Sequence, residues 1–205
     1  MSDKETNLPD KLIYTKEVIE FVTVANEYCV LVESLNVLTR EQFVEQTYKM
    51  LSLLHIKAIL SPKPSNISNA NTETFMNESD WHFIDNGLSE KLGSFEVFSD
   101  LKEPLDPETT INISLSECLT DIYQDLKDFT QLYHFGNEEA ITEGLWECKN
   151  NFQNIWGPRL IIVLKEFHSL LYGNLDLTEK EEDTDSNTNN EKGNSAAWLD
   201  GVFEN

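Results

Sequence analysis

The spacing of apolar residues constrains this chain more than any other feature. Between Thr15 and Ser34 they fall at 18, 21, 22, 25, 28, 29 and 32, the three-and-four recurrence that places one face of a helix in a core. A surface strand would show alternation instead. The pattern returns along the chain, bounded by residues able to start or stop a helix. At "LTREQF", Thr39 can cap, Gln42 can return the bond and Leu38 can staple onto Phe43. That helix ends near Leu60, because Ser61 precedes Pro62 and pre-proline residues avoid helical angles. Asn77 and Asp80 open a helix over 78–92 that Gly93 closes, and Ser114 with Glu117 forms a capping box for a fourth, with Gly136 just past its end. A fifth starts near Asn137 and runs through Trp156. Pro158 then removes a backbone donor and crowds the carbonyl four residues earlier, so the helix kinks at Gly157–Pro158 and resumes to Gly173.

The segments between read differently. Residues 61–75 form an exposed loop rich in proline, serine and asparagine, and the stretch from Ser94 to Asn112 has two prolines and no sustained period. Phe95, Val97 and Phe98 tuck onto the bundle there, but no strand long enough to seed a sheet is expected. The expected fold is therefore all-α, a single-domain bundle of five to six helices over 13–173, which suits a chain of 205 residues. A flexible N-terminus, 1–12, precedes it. A disordered acidic tail, 174–205, follows, because it has few large apolar side chains with which to offset the entropy of ordering. The tail's end is the exception: Trp198, Leu199, Val202 and Phe203 form a short apolar segment at helical spacing, a possible docking segment.

Charge bounds the partners. Fifteen Lys and Arg against 37 Asp and Glu give a net charge of -22, which repels the phosphates of nucleic acid and of anionic lipid. No apolar run approaches the roughly 20 residues of a membrane span. The N-terminal residues lack the apolar core of a secretory signal. Cys29, Cys118 and Cys148 are an odd number without metal or disulfide spacing. A cytoplasmic protein with no nucleic-acid or membrane partner fits these observations.

The catalytic motifs weighed are missing. There is no GxSxG and no phosphate loop, and the residues three before His55, His82, His134 and His168 are Ser52, Ser79, Gln131 and Lys165, so the Glu–His pairs of a di-metal bundle are absent. No cofactor and no metal are implied. Two features remain. Glu117, Asp121, Asp125 and Asp128 share one side of the fourth helix, opposite its apolar face; such a stripe binds a cation or simply faces water. In "LWECKNNFQNIWGPRL", a regular helix would place Ile141, Leu145, Cys148, Phe152, Ile155 and Arg159 on one face. That points the Arg159 guanidinium at the core near Glu166, where burial demands a carboxylate partner, from Glu166 or from the acidic helix. Trp146, Trp156, Arg159 and Glu166 are the candidate polar cluster, read as an anion site or as a charge network pinning the kink.

The segments "IYTKEVIEFVTVANEYCVLVE", "SDWHFIDNGLSEKLGSFEVF", "DIYQDLKDFTQLY" and "LWECKNNFQNIWGPRLIIVLKEFHSLLY" resemble the bacterial domain of unknown function family 5063 over roughly residues 13–172. The resemblance implies an all-helical cytoplasmic domain, and it implies no reaction, cofactor or catalytic residue. The reading adopted is a non-catalytic protein-interaction module that contacts a protein partner through its bundle surface or C-terminal tail. The alternative is a binding protein or enzyme for a small anionic ligand with a pocket near Arg159.

Overall fold

The structure is a computed structural model that describes residues 11–65, 74–103 and 106–178. A short 3-10 turn, Leu12–Tyr14, leads into helices α1 (Lys16–Glu33), α2 (Arg40–Leu60), α3 (Glu78–Leu92), α4 (Leu115–Phe135), α5 (Glu138–Asn151) and α6 (Gly157–Tyr172). The helix starts form as their residues dictate. Thr39 accepts the Gln42 N–H at 3.2 Å while the Gln42 side chain accepts the Thr39 N–H at 3.1 Å. Asn77 and Asp80 exchange the same pair of bonds. Ser114 caps α4 by accepting the Glu117 N–H, but the return bond of a full box is missing because Glu117 points to solvent. α3 closes on Gly93 at φ 57°, a backbone angle that favours glycine.

The helices form the expected bundle around α4, which packs against α1, α3, α5 and α6. Its buried residues include Leu119, Ile122, Leu126 and Phe129 on one side and Thr120, Tyr123 and Thr130 on others. Among the described residues no helix is long and apolar enough to cross a membrane.

Two expectations are corrected. The stretch after Gly93 is not strandless: β1 (Val97–Glu103) and β2 (Asp106–Ser114) form an antiparallel hairpin, paired from Val97↔Ser114 to Leu101↔Thr110 and again at Glu103↔Asp106. The register shifts between Leu101 and Glu103. Phe98 and Ile113 are directly paired and both pack on the core, which anchors a ribbon too small to persist alone. The bundle also does not stop at Gly173. Leu177 returns to the core and is buried, so the apolar body outlasts the boundary drawn from composition. The remaining tail, including Trp198, Leu199, Val202 and Phe203, lies outside the described residues, as do residues 1–10.

The break in the last helix takes a specific form. Phe152–Trp156 is a π turn: the Phe152 N–H is shared between the Cys148 and Lys149 carbonyls, and the Gly157 N–H reaches back five residues to Phe152. The turn inserts one residue into the helical register. Cys148 is followed in the core by Trp156, Leu160, Val163 and Phe167, whereas Ile155 is exposed and Arg159 sits at the rim. The regular-helix phase that aimed Arg159 into the core is thereby displaced. Pro158 opens α6, where a proline needs no donor.

Gly157 is required by this turn, because a Cβ there would stand 2.1 Å from the Phe152 carbonyl oxygen. In an ordinary helix interior Gly→Ala stabilises by about 1 kcal/mol. Here Gly157→Ala destabilises by about 1–3 kcal/mol through steric overlap, a reversal of sign read from denaturant midpoints.

Candidate functional site

α4, α5, the π turn and the start of α6 enclose a cleft of about 260 Å³. α4 lines it with Asp121, Asp125 and Asp128, α5 with Glu147 and Asn151, and α6 with Arg159. The acidic stripe on α4 thus mostly escapes the solvated-face reading, since only Glu117 is exposed. The other three are engaged. Arg159 Nη1 pairs with Asp121 Oδ2 at 2.8 Å, and the Trp81 indole N–H donates to Asp121 Oδ1 at 2.9 Å. Asn151 Nδ2 donates to Asp125 Oδ1 at 2.6 Å. Asp128 Oδ1 accepts the backbone N–H groups of Phe75 and Met76, at 2.7 and 3.0 Å, and so fastens the entry to α3.

Burial dominates the electrostatics of the cleft. It pushes the Asp125 carboxyl up to about 6, against the lowering effect of the Asn151 bond and with help from Asp128 and Asp121. Asp128 is also raised by burial, which its two backbone donors oppose. Burial likewise lifts Cys29 to about 12 and Cys118 to about 11, and Cys148 well above the ordinary thiol range. At neutral pH such thiols are scarcely ionised and are poor nucleophiles. Among the described residues no three His, Cys, Asp or Glu side chains converge to hold a metal ion.

The candidate cluster Trp146, Trp156, Arg159 and Glu166 is not one site. Trp156 is sealed in the core, 3° from parallel with Phe21, and its indole N–H donates to the Cys148 carbonyl at 3.0 Å. Trp146 lies under the Lys63 ammonium, 5.1 Å from the ring centroid. Glu166 pairs with Lys165 at 3.5 Å, while Arg159 takes its partner from α4. Only Arg159 of the four lines the cleft.

Lys149, Asn150 and Gln153 tie this stretch to the end of α2 and the residues after it. Lys149, buried, donates to the Ala58 carbonyl in the last turn of α2, and burial lowers its pKa. Lys63 reaches Asn150 and Gln153, at 3.3 and 3.0 Å. Lys63 and Lys149 were missed from sequence because their partners lie 87 to 91 residues away.

A family model matches residues 12–173. The chain belongs to the family described as Domain of unknown function (DUF5063). No curated protein matches it. This DUF5063 chain is similar to protein BF1032 from Bacteroides fragilis, known from a crystal structure, with 34% sequence identity and a TM-score of 0.71. The similarity covers 79% of this chain and 96% of the other.

The titration of Asp125 has a definite sign. Its folded pKa exceeds the unfolded value, so the folded state holds a proton more tightly and stability falls as pH rises from about 4 through 6. Asp125→Asn keeps an acceptor for Asn151 and removes that cost. The variant is more stable than wild type by about 1–3 kcal/mol at pH 7.5, an advantage that disappears near pH 4, as paired urea titrations would read.

Arg159→Met tests the rim pair. With the guanidinium side chain 38% exposed, its loss costs about 1 kcal/mol or less. Asp121 retains its bond from Trp81. A loss of several kcal/mol in thermal unfolding would mean that Arg159 carries more than this pair.

Proposed function

We propose that this DUF5063 chain is a non-catalytic module that works through contacts with protein. The observation that carries the reading is the outer face of α2 and its neighbour α6. Leu53, Ile56, Ile59 and Leu60 are 43–59% exposed along two turns of α2, and Ile161 and Tyr172 are exposed on α6. Apolar side chains grouped on adjoining helices are what a helix-docking surface presents. The reading is supported by what the polar groups do: thiols are sealed, and Lys149, Asn151 and Arg159 hold helices to one another. A net charge of -22 weighs against nucleic acid as the partner, and three thiols without pairing suit the cytoplasm.

The anionic-ligand reading draws less support. Arg159 meets Asp121 in a cleft that also holds Asp125, Asp128 and Glu147. That field repels anions.

The double variant Ile56→Lys, Ile59→Lys tests the module reading. Both sites are exposed, so stability changes by roughly 0.5 kcal/mol or less per site. Affinity capture with the full chain retains its specific partners in wild type and in an Ile19→Lys control on α1, and loses them in the double variant. An unchanged partner set with the double variant overturns the reading.

A further inference from the structure

The helices do not share charge evenly. α1, α3, α4 and α5 each carry four carboxylates against one lysine, whereas α2 and α6, packed side by side, carry only Glu41, Glu45 and Glu166 between them. The cations of these two helices are taken up inside the fold. Lys49 pairs with Glu45 at 2.6 Å, Lys57 with Glu20 of α1 at 2.7 Å, Arg159 with Asp121 at 2.8 Å and Lys165 with Glu166 at 3.5 Å, while Arg40 Nε donates to the Lys91 carbonyl at 2.9 Å. The α2–α6 face is therefore close to electrically neutral on a chain of net charge -22. Such a face favours neither an acidic nor a basic partner; it fits a surface as neutral and apolar as itself.

The chain contains one such surface, which is this same face. On α2, Leu53, Ile56 and Leu60 are exposed and fall within about 60° of one another, at the alternating three-and-four spacing of a helix-pairing seam. Ile59 turns from them towards α6, where Ile161 is exposed on the side that meets α2 through the Tyr48–His168 contact of 3.0 Å. Laid antiparallel across a twofold axis near Ile56, the stripe is its own complement: Leu53 meets Leu60 of the second copy, and Leu60 meets its Leu53. α2 is about 31 Å long and the α2–α6 pair about 20 Å across, so the face measures about 600 Å² in projection. That is comparable to the roughly 800 Å² that each partner of a standard interface buries. Two chains that met through α1, α3, α4 or α5 would set like-charged helices against each other, which opposes association.

We infer that the α2–α6 face is the contact between two copies of this chain, an antiparallel dimer about a twofold axis near Ile56, with Leu53, Ile56, Ile59, Leu60 and Ile161 at its centre. The inference rests on the reading of this face as a docking surface and names its partner. Any other protein that uses the face competes with the second copy.

Sedimentation equilibrium of the full-length chain, from micromolar to millimolar concentration, tests it. The mass rises from one copy to two as concentration increases. The dissociation constant falls several-fold from low to physiological salt, because salt screens the long-range repulsion of two acidic bodies and leaves apolar contacts intact. The Ile56→Lys, Ile59→Lys chain stays a single copy throughout, while the Ile19→Lys control on α1 dimerises like wild type. Introduced cysteines report the register, since Cys29, Cys118 and Cys148 are buried. On mild oxidation a mixture of Leu53→Cys and Leu60→Cys chains forms the mixed disulfide in preference to either homodimer. In this register Leu53 lies at least about 10 Å from Leu53 of the second copy, beyond the roughly 7 Å between Cα atoms that a disulfide can bridge. A single copy at every concentration and salt overturns the inference. So does a dimer that the double variant leaves intact, one that weakens as salt is added, or one that shows no preference for the mixed disulfide. A chain that stays monomeric yet loses its captured partners in the double variant separates the two readings, because the face then docks a different protein.

Discussion

Burying Trp156 is the constraint from which the rest of the C-terminal half follows. An indole sealed against Phe21 and Phe152 brings a large apolar area out of water, but its N–H must find an acceptor. The acceptor is the Cys148 carbonyl eight residues back, which also receives the Phe152 N–H. The π turn makes both possible by adding one residue to the helix between Cys148 and Leu160. Without that residue Ile155 and Arg159 would turn inward, and a guanidinium would enter the region that Leu160 now fills. The cost of a buried, poorly matched charge exceeds the cost of one irregular turn.

With the register set this way, Arg159 emerges at the rim of α6 facing α4, where Asp121 meets it. Along the same segment Asn151 meets Asp125, and Lys149 and Lys63 tie α5 and the π turn to the end of α2. These contacts join segments distant in sequence, so they position helices that apolar packing alone would leave free to slide. They also account for the composition of 145–160. A stretch dense in amides, lysine and tryptophan reads as a site, yet each of the groups traced here ends on another element of the same fold. Burial in the cleft between α4 and α5, with a smaller contribution from the neighbouring carboxylates, is why Asp125 holds its proton more tightly than an ordinary aspartate.

The outer surface is organised by a different term. Four acidic helices surround α4 or form it, and the two net-positive helices lie together on one side. Solvent screens charges over roughly 8–10 Å at physiological salt, so this difference acts at close range. The architecture is shared with the similar structure of protein BF1032 from Bacteroides fragilis at 34% identity.

Local chemistry was enough to determine the helices. Periodicity placed α1 to α4, caps at Thr39, Asn77 and Ser114 marked three of the starts, and Gly93 and Ser61 marked ends, because these signals act within four residues. The hairpin was hidden for the same reason: Phe98 and Ile113 stabilise it only once both lie against a core that the ribbon does not itself contain. Leu177 escaped notice likewise, as a single apolar residue in a polar stretch. The fate of the acidic stripe depended on α3 and α5 arriving on either side of it. Whether Arg159 would face core or rim depended on one inserted residue, and that insertion seats the indole against Phe21 of α1, a residue from near the start of the chain. Hydrogen bonds along the backbone are short-range and legible in order; the choice among helical registers is made by side chains that meet only in the folded body.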